Sequence, residues 1–430
     1  MISRKNFLQH TTAATVSLSL FDFMKPANAM ELKAEFERVA KIEPKALAAD
    51  EPFWKAIREQ YTLSPDLINL NNGGVSPQPI PVQEAHINHY KYCNLAPSHY
   101  MWHKLDNGRE PLRKKLAELA GCSPDEIAIN RNTTEGLNTI IFGLNLKAGD
   151  EVVLSKYDYP NMMNAWKQRE KRDGVILKWV DFDLPMNNDE KIVALYEDAI
   201  TSKTKIVHVT HMLNWTGQIL PARKITDMAH SKGCEVIVDA SHSFVHIDYK
   251  VTDLDCDYYA TSLHKWLCAP FGTGFMFIKK DKIKNVWPLV SAYESQTDDI
   301  RKFEVLGTRS FAAEMAIDAA IDFHQNIGSK QKEERLRFLK NYWCFIVSKM
   351  SNIKLYTSLQ GKYSCGIASF AIEGKEGPAI VSELFSKYKV HTTNVKHEKL
   401  NGVRVSPHIY TNLNDLDVLL NAIKEIAEQK

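Results

Sequence analysis

The chain has 430 residues, with 54 Lys+Arg against 52 Asp+Glu, a formal net charge of +2 and 44% hydrophobic residues. That balance argues against a polybasic nucleic-acid binder, because phosphate binding needs a concentrated positive face. The apolar fraction and 10% aromatics argue against disorder, and the length suits about two or three structural units.

Residues 1–29 read as a signal peptide. A basic head, Ser3-Arg4-Lys5-Asn6-Phe7-Leu8, precedes a weakly apolar run from Thr11 to Met24. Ala27-Asn28-Ala29 has the form of a cleavage site. The head resembles the twin-arginine export signal, with Lys5 at the second arginine. The run is short and rich in Ser and Thr, and no later segment holds about 18 uninterrupted apolar residues, so no membrane span is expected. The expected location is the periplasm, or the cytoplasm if the signal is unused.

From about residue 130, short β-rich runs alternate with helical patterns. A helix is expected over 134–145, then a strand over 151–155 and a helix over 161–173. Next come a strand over 175–180, a helix over 189–201 and a strand over 205–210. A helix over 221–232 ends at Gly233 and leads to a strand over 235–239, with further strands over 257–261 and 273–279. This alternation implies an α/β fold with a mostly parallel sheet, whose ligands sit at the carboxyl ends of the strands. A charged helix over 329–350 opens a different pattern. Strands follow near 353–357, 366–373 and 402–406, with helices over 377–388 and 414–428. Residues 81–328 thus read as a large domain and 329–430 as a smaller α+β domain. Residues 30–80 form an N-terminal segment expected to contribute to the small domain and to an active-site loop.

Seven widely spaced cysteines without a CxxC pair give neither a disulfide framework nor a zinc ribbon. His208 and His211, with His242 and His246, are poorly spaced to converge and lack an acidic ligand, so no metal site is expected. Lys265 follows an apolar strand, in Thr261-Ser262-Leu263-His264-Lys265-Trp266. A desolvated lysine there can form a Schiff base with an aldehyde. Asp239 ends the run Val236-Ile237-Val238 and can hold a cationic ring nitrogen. Pyridoxal phosphate requires that pair, a lysine for its aldehyde and an acid for its pyridinium. Arg131-Asn132-Thr133-Thr134-Glu135-Gly136 offers hydroxyls and N–H groups at a helix start, a seat for phosphate. Asp158-Tyr159-Pro160 can supply a flat aromatic face.

The order Thr-Thr-Glu-Gly, aromatic site, Asn214, Asp239 and Ser262-x-His264-Lys265 resembles the class V aminotransferase family of fold-type I pyridoxal-phosphate enzymes. The similarity covers most of residues 65–428 and leans toward the isopenicillin N epimerase-like branch. It implies a large domain with a mostly parallel seven-stranded sheet, pyridoxal 5'-phosphate as cofactor, and a homodimer with a shared active site. By the same resemblance Lys265 is the aldimine lysine and moves the α-proton, while Asp239 pairs with the pyridinium nitrogen. Thr134, Ser262 and His264 hold the phosphate, supported by Thr133. Tyr159 stacks on the ring, and Asn214 sits near the ring oxygen or the substrate carboxylate. His242 stands where desulfurases have glutamine. Asn69-Leu70-Asn71-Asn72-Gly73-Gly74 looks like the opening active-site loop, with Asn72 and Gly73 at the substrate. Gly307-Thr308-Arg309 looks like the loop that reaches the neighbouring subunit's phosphate through Thr308. Arg404 looks like the arginine that binds the substrate carboxylate, and Trp102, His103 and Arg109 are candidates for the entrance.

The expected small-molecule substrate is an amino acid or amine, and Cα deprotonation can lead to transamination, epimerisation or elimination. A C–S or other β-lyase is the alternative. Persulfide chemistry is disfavoured, because residues 391–399 contain no cysteine. A non-catalytic binding protein on the same scaffold would have lost Lys265 or Asp239, and both are present.

Overall fold

The computed structural model describes residues 26–429, with side chains from Met30 onward. Most of the expected signal peptide, 1–29, lies outside the described residues; the backbone of its last four residues opens the helix Pro26–Val39. Among the described residues no helix is long and apolar enough to cross a membrane.

Thirteen strands occur among the described residues: β1 Ile68–Asn69, β2 Ile127–Asn130, β3 Glu151–Ser155, β4 Ile176–Val180, β5 Thr204–Thr210, β6 Glu235–Asp239, β7 Tyr258–Ser262, β8 Gly274–Ile278, β9 Ile353–Leu355, β10 Ala368–Ile372, β11 Val390–His391, β12 Thr393–His397 and β13 Leu400–Val405. Seven form one sheet in the order β2-β8-β7-β6-β5-β3-β4. Only β8 pairs antiparallel with its neighbours; the other pairings are parallel. Helices cover both faces, so the strands are continuous apolar runs, and the period of two assigns each residue to a face. Val152, Leu154, Ile206, Ile237 and Tyr258 pack with Leu137, Ile140 and Trp166 of two helices on one side. Val153, Val207, Val236, Val238 and Tyr259 pack on the other side with Leu112, Leu116 and Ile225.

The strands and helices expected beyond residue 130 are present, with ends shifted by a residue or a few. Several elements have no counterpart among those expectations, including the helix Ile317–Ile327 and β12. The strand β2 is only IAIN, and the helices Ile80–Cys93 and Arg109–Ala120 precede the readable alternation. In the first of these helices Pro81, Val82, Ala85, Tyr92 and Cys93 are buried, which is no clean apolar stripe.

The small domain is a four-stranded antiparallel sheet, β12-β13-β10-β9. Helices Ser329–Val347, Gly377–Tyr388 and Leu413–Glu428 cover it, and Trp343, Phe370, Val403, Leu419 and Ile423 share its core. The N-terminal segment is stitched to this domain. β1 pairs parallel with β11, Asn71 bridges Ser406, and Arg58 donates to Asp415 at 2.7 Å.

Candidate active site

Every chemically interesting strand of the large sheet ends at the same edge. Asp239 closes β6 and Ser262 closes β7, with Lys265 three residues beyond. Thr133 opens the helix Thr133–Gly143 after β2, Tyr159 caps the helix Pro160–Asp173 after β3, and Asn214 lies beyond β5. Together with Arg404 of β13 they enclose a cavity of about 260 Å³. Its lining brings together Thr133, Thr134, Tyr159, Asn214, Asp239, His242, Ser262, His264, Lys265, Arg404 and Gly73.

One end of the cavity is built for an anion. Asn132 caps the helix by accepting the Glu135 N–H at 2.9 Å. The Thr133 N–H donates to Ser262 Oγ at 3.0 Å, and the Thr133 and Ser262 hydroxyls lie 2.8 Å apart. Helix start and strand end are thereby locked, with Thr134 on the cavity wall. His264 Nδ1 lies 3.1 Å from the Thr273 carbonyl, to which it donates as Nδ1–H. Burial, with Lys265 nearby, lowers the His264 pKa to about 4. An adjacent anion favours the protonated ring.

Asp239 holds the middle. Its Oδ1 accepts the Ser241 N–H at 2.9 Å and the Ser241 hydroxyl at 2.5 Å. Its Oδ2 is buried and has no partner. Lys265 Nζ lies 3.3 Å from His242 Nε2. Burial lowers the Lys265 pKa to about 8; Asp239 opposes that shift and Arg404 adds to it. Burial, then Lys265, also hold His242 well below the ordinary imidazole range.

Arg404 closes the other end. Its Nη1 donates to the Asn214 carbonyl at 2.9 Å and its Nη2 to Asn71 Oδ1 at 2.8 Å, while its buried Nε has no partner. Burial lowers its pKa to about 10. Asn214 Oδ1 is a second buried acceptor without a partner.

The sequence model of the family described as "Aminotransferase class-V" matches residues 68–419. The chain belongs to the aminotransferase class-V family. It is 25% identical to isopenicillin N epimerase of Amycolatopsis lactamdurans, over 87% of this chain and 99% of that protein. It is 27% identical to a probable cysteine desulfurase of Synechocystis sp., over 83% of this chain and 90% of that protein. The apo cysteine desulfurase of Thermococcus onnurineus NA1 superposes with a TM-score of 0.77 at 24% identity, covering 86% of this chain and 97% of that one. The fold is that of the fold-type I pyridoxal-phosphate enzymes, as expected.

This class-V protein is a pyridoxal-phosphate enzyme, and its cavity fits that cofactor. The unpartnered Asp239 Oδ2 is a buried acceptor in need of an N–H donor. Lys265 supplies an amine of depressed basicity in the same cavity, and the Thr133–Ser262 corner supplies the anion seat.

Several expected site residues lie elsewhere. Asn72 does not line the cavity. Its amide donates to the Ser406 carbonyl at 3.0 Å and its Oδ1 accepts the Tyr410 hydroxyl at 2.6 Å. It therefore holds the loop rather than facing the substrate space. Thr308 is exposed and outside its own chain's cavity. Trp102, His103 and Arg109 are absent from the lining, and Arg109 is committed to a buried pair with Glu314 at 2.9 Å. His208 accepts from Trp166 and His246 from the Gly366 N–H. Among the described residues no three His, Cys, Asp or Glu side chains form a metal-sized group.

Sequence reasoning gave no role to Ser241 or Met162, and none to Asn71 and Gly74 beyond their place in the active-site loop. Ser241 was open to detection, since a serine two residues after a strand-end aspartate satisfies that carboxylate locally. Asn71 was not, because its partner Arg404 is brought to it only by the small domain.

Proposed function

We propose that this enzyme removes the α-proton of an amino acid or amine, with an isopenicillin N epimerase-like reaction as the leading reading. One observation carries it: the Lys265 amine, the unpartnered Asp239 oxygen and the Arg404 guanidinium share one cavity. When bound, pyridoxal phosphate draws electrons from the substrate's α-carbon through its charged ring. Asp239 keeps that ring nitrogen protonated. Arg404 orients the substrate carboxylate through its free Nε–H and a neighbouring Nη. Lys265, its basicity lowered by burial, takes the α-proton in its neutral form. His242 and Asn214 border the reacting atoms and bear on which face the proton returns to.

Similarity to probable cysteine desulfurases supports a C–S lyase as the second reading. No cysteine lines the cavity, so such a lyase would not carry sulfur on its own thiol. Incubation with an amino-acid panel in deuterated water separates these readings. α-Deuteration with inversion supports epimerisation, a keto acid supports transamination, and pyruvate with a released group supports the lyase. A panel with no α-exchange at all refutes the proposal.

Two further parts of the reading concern assembly and address. A homodimer is supported by the exposed Leu289, Val290 and Tyr293. Leu289, Val290 and Leu306 line a groove beside Asn132 and Thr134, where a second chain's Thr308 loop would meet the phosphate seat. Export is supported by the signal-like residues 1–29. N-terminal sequencing of periplasmic protein should begin at Met30, and an intact Met1 there refutes export by cleavage.

A further inference from the structure

Trp266 follows Lys265 and is 1% exposed. Its ring stacks with His246 at 3.6 Å and 29° and with His408 at 5.4 Å and 12°. Its indole N–H donates to His242 Nδ1 at 3.4 Å. A neutral imidazole that accepts at Nδ1 carries its proton on Nε2. Nε2 is the atom that lies 3.3 Å from Lys265 Nζ. An Nε2–H can be accepted by the lone pair of a neutral amine. Toward an ammonium it would be donor against donor.

The stacking partner is fixed as well. His246 Nε2 accepts the Gly366 N–H at 2.8 Å, which leaves its Nδ1–H to donate to the His242 carbonyl at 2.8 Å. A Cβ at residue 366 would lie 2.9 Å from His246 Nε2, so glycine permits this approach. Burial keeps both imidazoles neutral. Each hydrogen bond in the set therefore has a single direction.

We infer that Trp266 is a positioning residue for the Lys265 amine: its indole N–H sets the His242 tautomer, and that tautomer favours the neutral, nucleophilic form of the amine. This rests on the proposed role of Lys265 but concerns the amine of the cofactor-free protein. Asp239 and Arg404 also act on that amine, the first favouring the ammonium and the second opposing it. His264 shares the cavity with it. None of the three is bonded to the indole N–H, so removing that N–H leaves their effects in place.

Trp266→Phe keeps an aromatic ring and deletes the donor. His242 can then carry its proton on Nδ1 and accept from an ammonium at Nε2. In the apoenzyme the pH midpoint of Lys265 acetylation, read by peptide mass spectrometry, should rise by roughly one unit. In a His242→Gln background the same change should leave the midpoint where it is. An unchanged midpoint for Trp266→Phe overturns the inference, and so does an equal shift in the Gln background. A second measurement needs no variant at position 266. In histidine-labelled wild-type apoenzyme, long-range nitrogen NMR should show His242 as the Nε2–H tautomer, its signal assigned by its loss in His242→Gln. An Nδ1–H tautomer overturns the inference. Wild-type protein that shows this titration yet takes up no pyridoxal phosphate refutes the proposed function and leaves the inference standing.

Discussion

Arg404 Nη1 donates to the Asn214 backbone carbonyl at 2.9 Å, tying β13 of the small domain to the loop beyond β5 of the large sheet. The same guanidinium holds Asn71 Oδ1 at 2.8 Å. The group proposed to bind the substrate carboxylate thus doubles as a tie between the two domains and the N-terminal segment. Arg404→Lys keeps the charge but cannot reach both acceptors and still present two parallel donors. It should raise KM for a carboxylate substrate about tenfold or more, with a smaller change for an amine lacking the carboxylate. Steady-state kinetics on a matched substrate pair checks this.

Lys265→Ala should fold and still lack any borohydride-reducible adduct with pyridoxal phosphate. In the wild type the nucleophile is the neutral amine, and burial lowers its pKa to about 8. The neutral fraction grows as pH rises through that value. Reconstitution of apoenzyme should therefore accelerate up to about pH 8 and level off above it, falling about tenfold per unit below pH 7. Stopped-flow absorbance gives the profile.

Asp239→Asn preserves an acceptor for the Ser241 N–H and hydroxyl, so the local turn should survive. The charge proposed to face the ring nitrogen is lost. A fall in kcat/KM of about 100-fold or more is expected, with little change in melting temperature.

Chain mixing tests whether Thr308 acts across a dimer. Thr308→Val should weaken cofactor binding severalfold. In a hybrid with Lys265→Ala, the one intact lysine site receives a native Thr308 from the other chain, and normal affinity should return in half the sites. Persistence of the weakened affinity shows that Thr308 acts within its own chain. Leu289→Asp should convert the proposed dimer to monomer in sedimentation.

Gly136 lies where its helix crosses the sheet. An added Cβ would sit 2.6 Å from Asn130 Nδ2 and 2.9 Å from Ala260 Cβ. Gly136→Ala should destabilise the protein by about 1–3 kcal/mol, read from urea unfolding. It should also weaken phosphate binding at Thr133 and Thr134, because the helix must back away from Ser262.

Much of the large sheet was legible because strands covered on both faces are short apolar runs bounded by helices, a local pattern that survives in one dimension. Asp239, Ser262 and Lys265 could be placed by the same logic, as polar residues at or just past the ends of those runs, and Thr133 by the helix start it opens. The brief β2 and the helix Ile80–Cys93 escaped, since neither carries a long, clean period.

Local spacing by itself determined which residues stand at the carboxyl edge of the sheet. Only the tertiary structure decided which way they face. Asn72 and Gly73 are neighbours, yet Asn72 turns into bonds with Tyr410 and Ser406 while Gly73 lines the cavity. Arg109 goes to Glu314 and Arg404 to Asn214, partners far away along the chain. Such choices follow from packing whole domains together and satisfying each buried polar group, and no short window of residues contains that information.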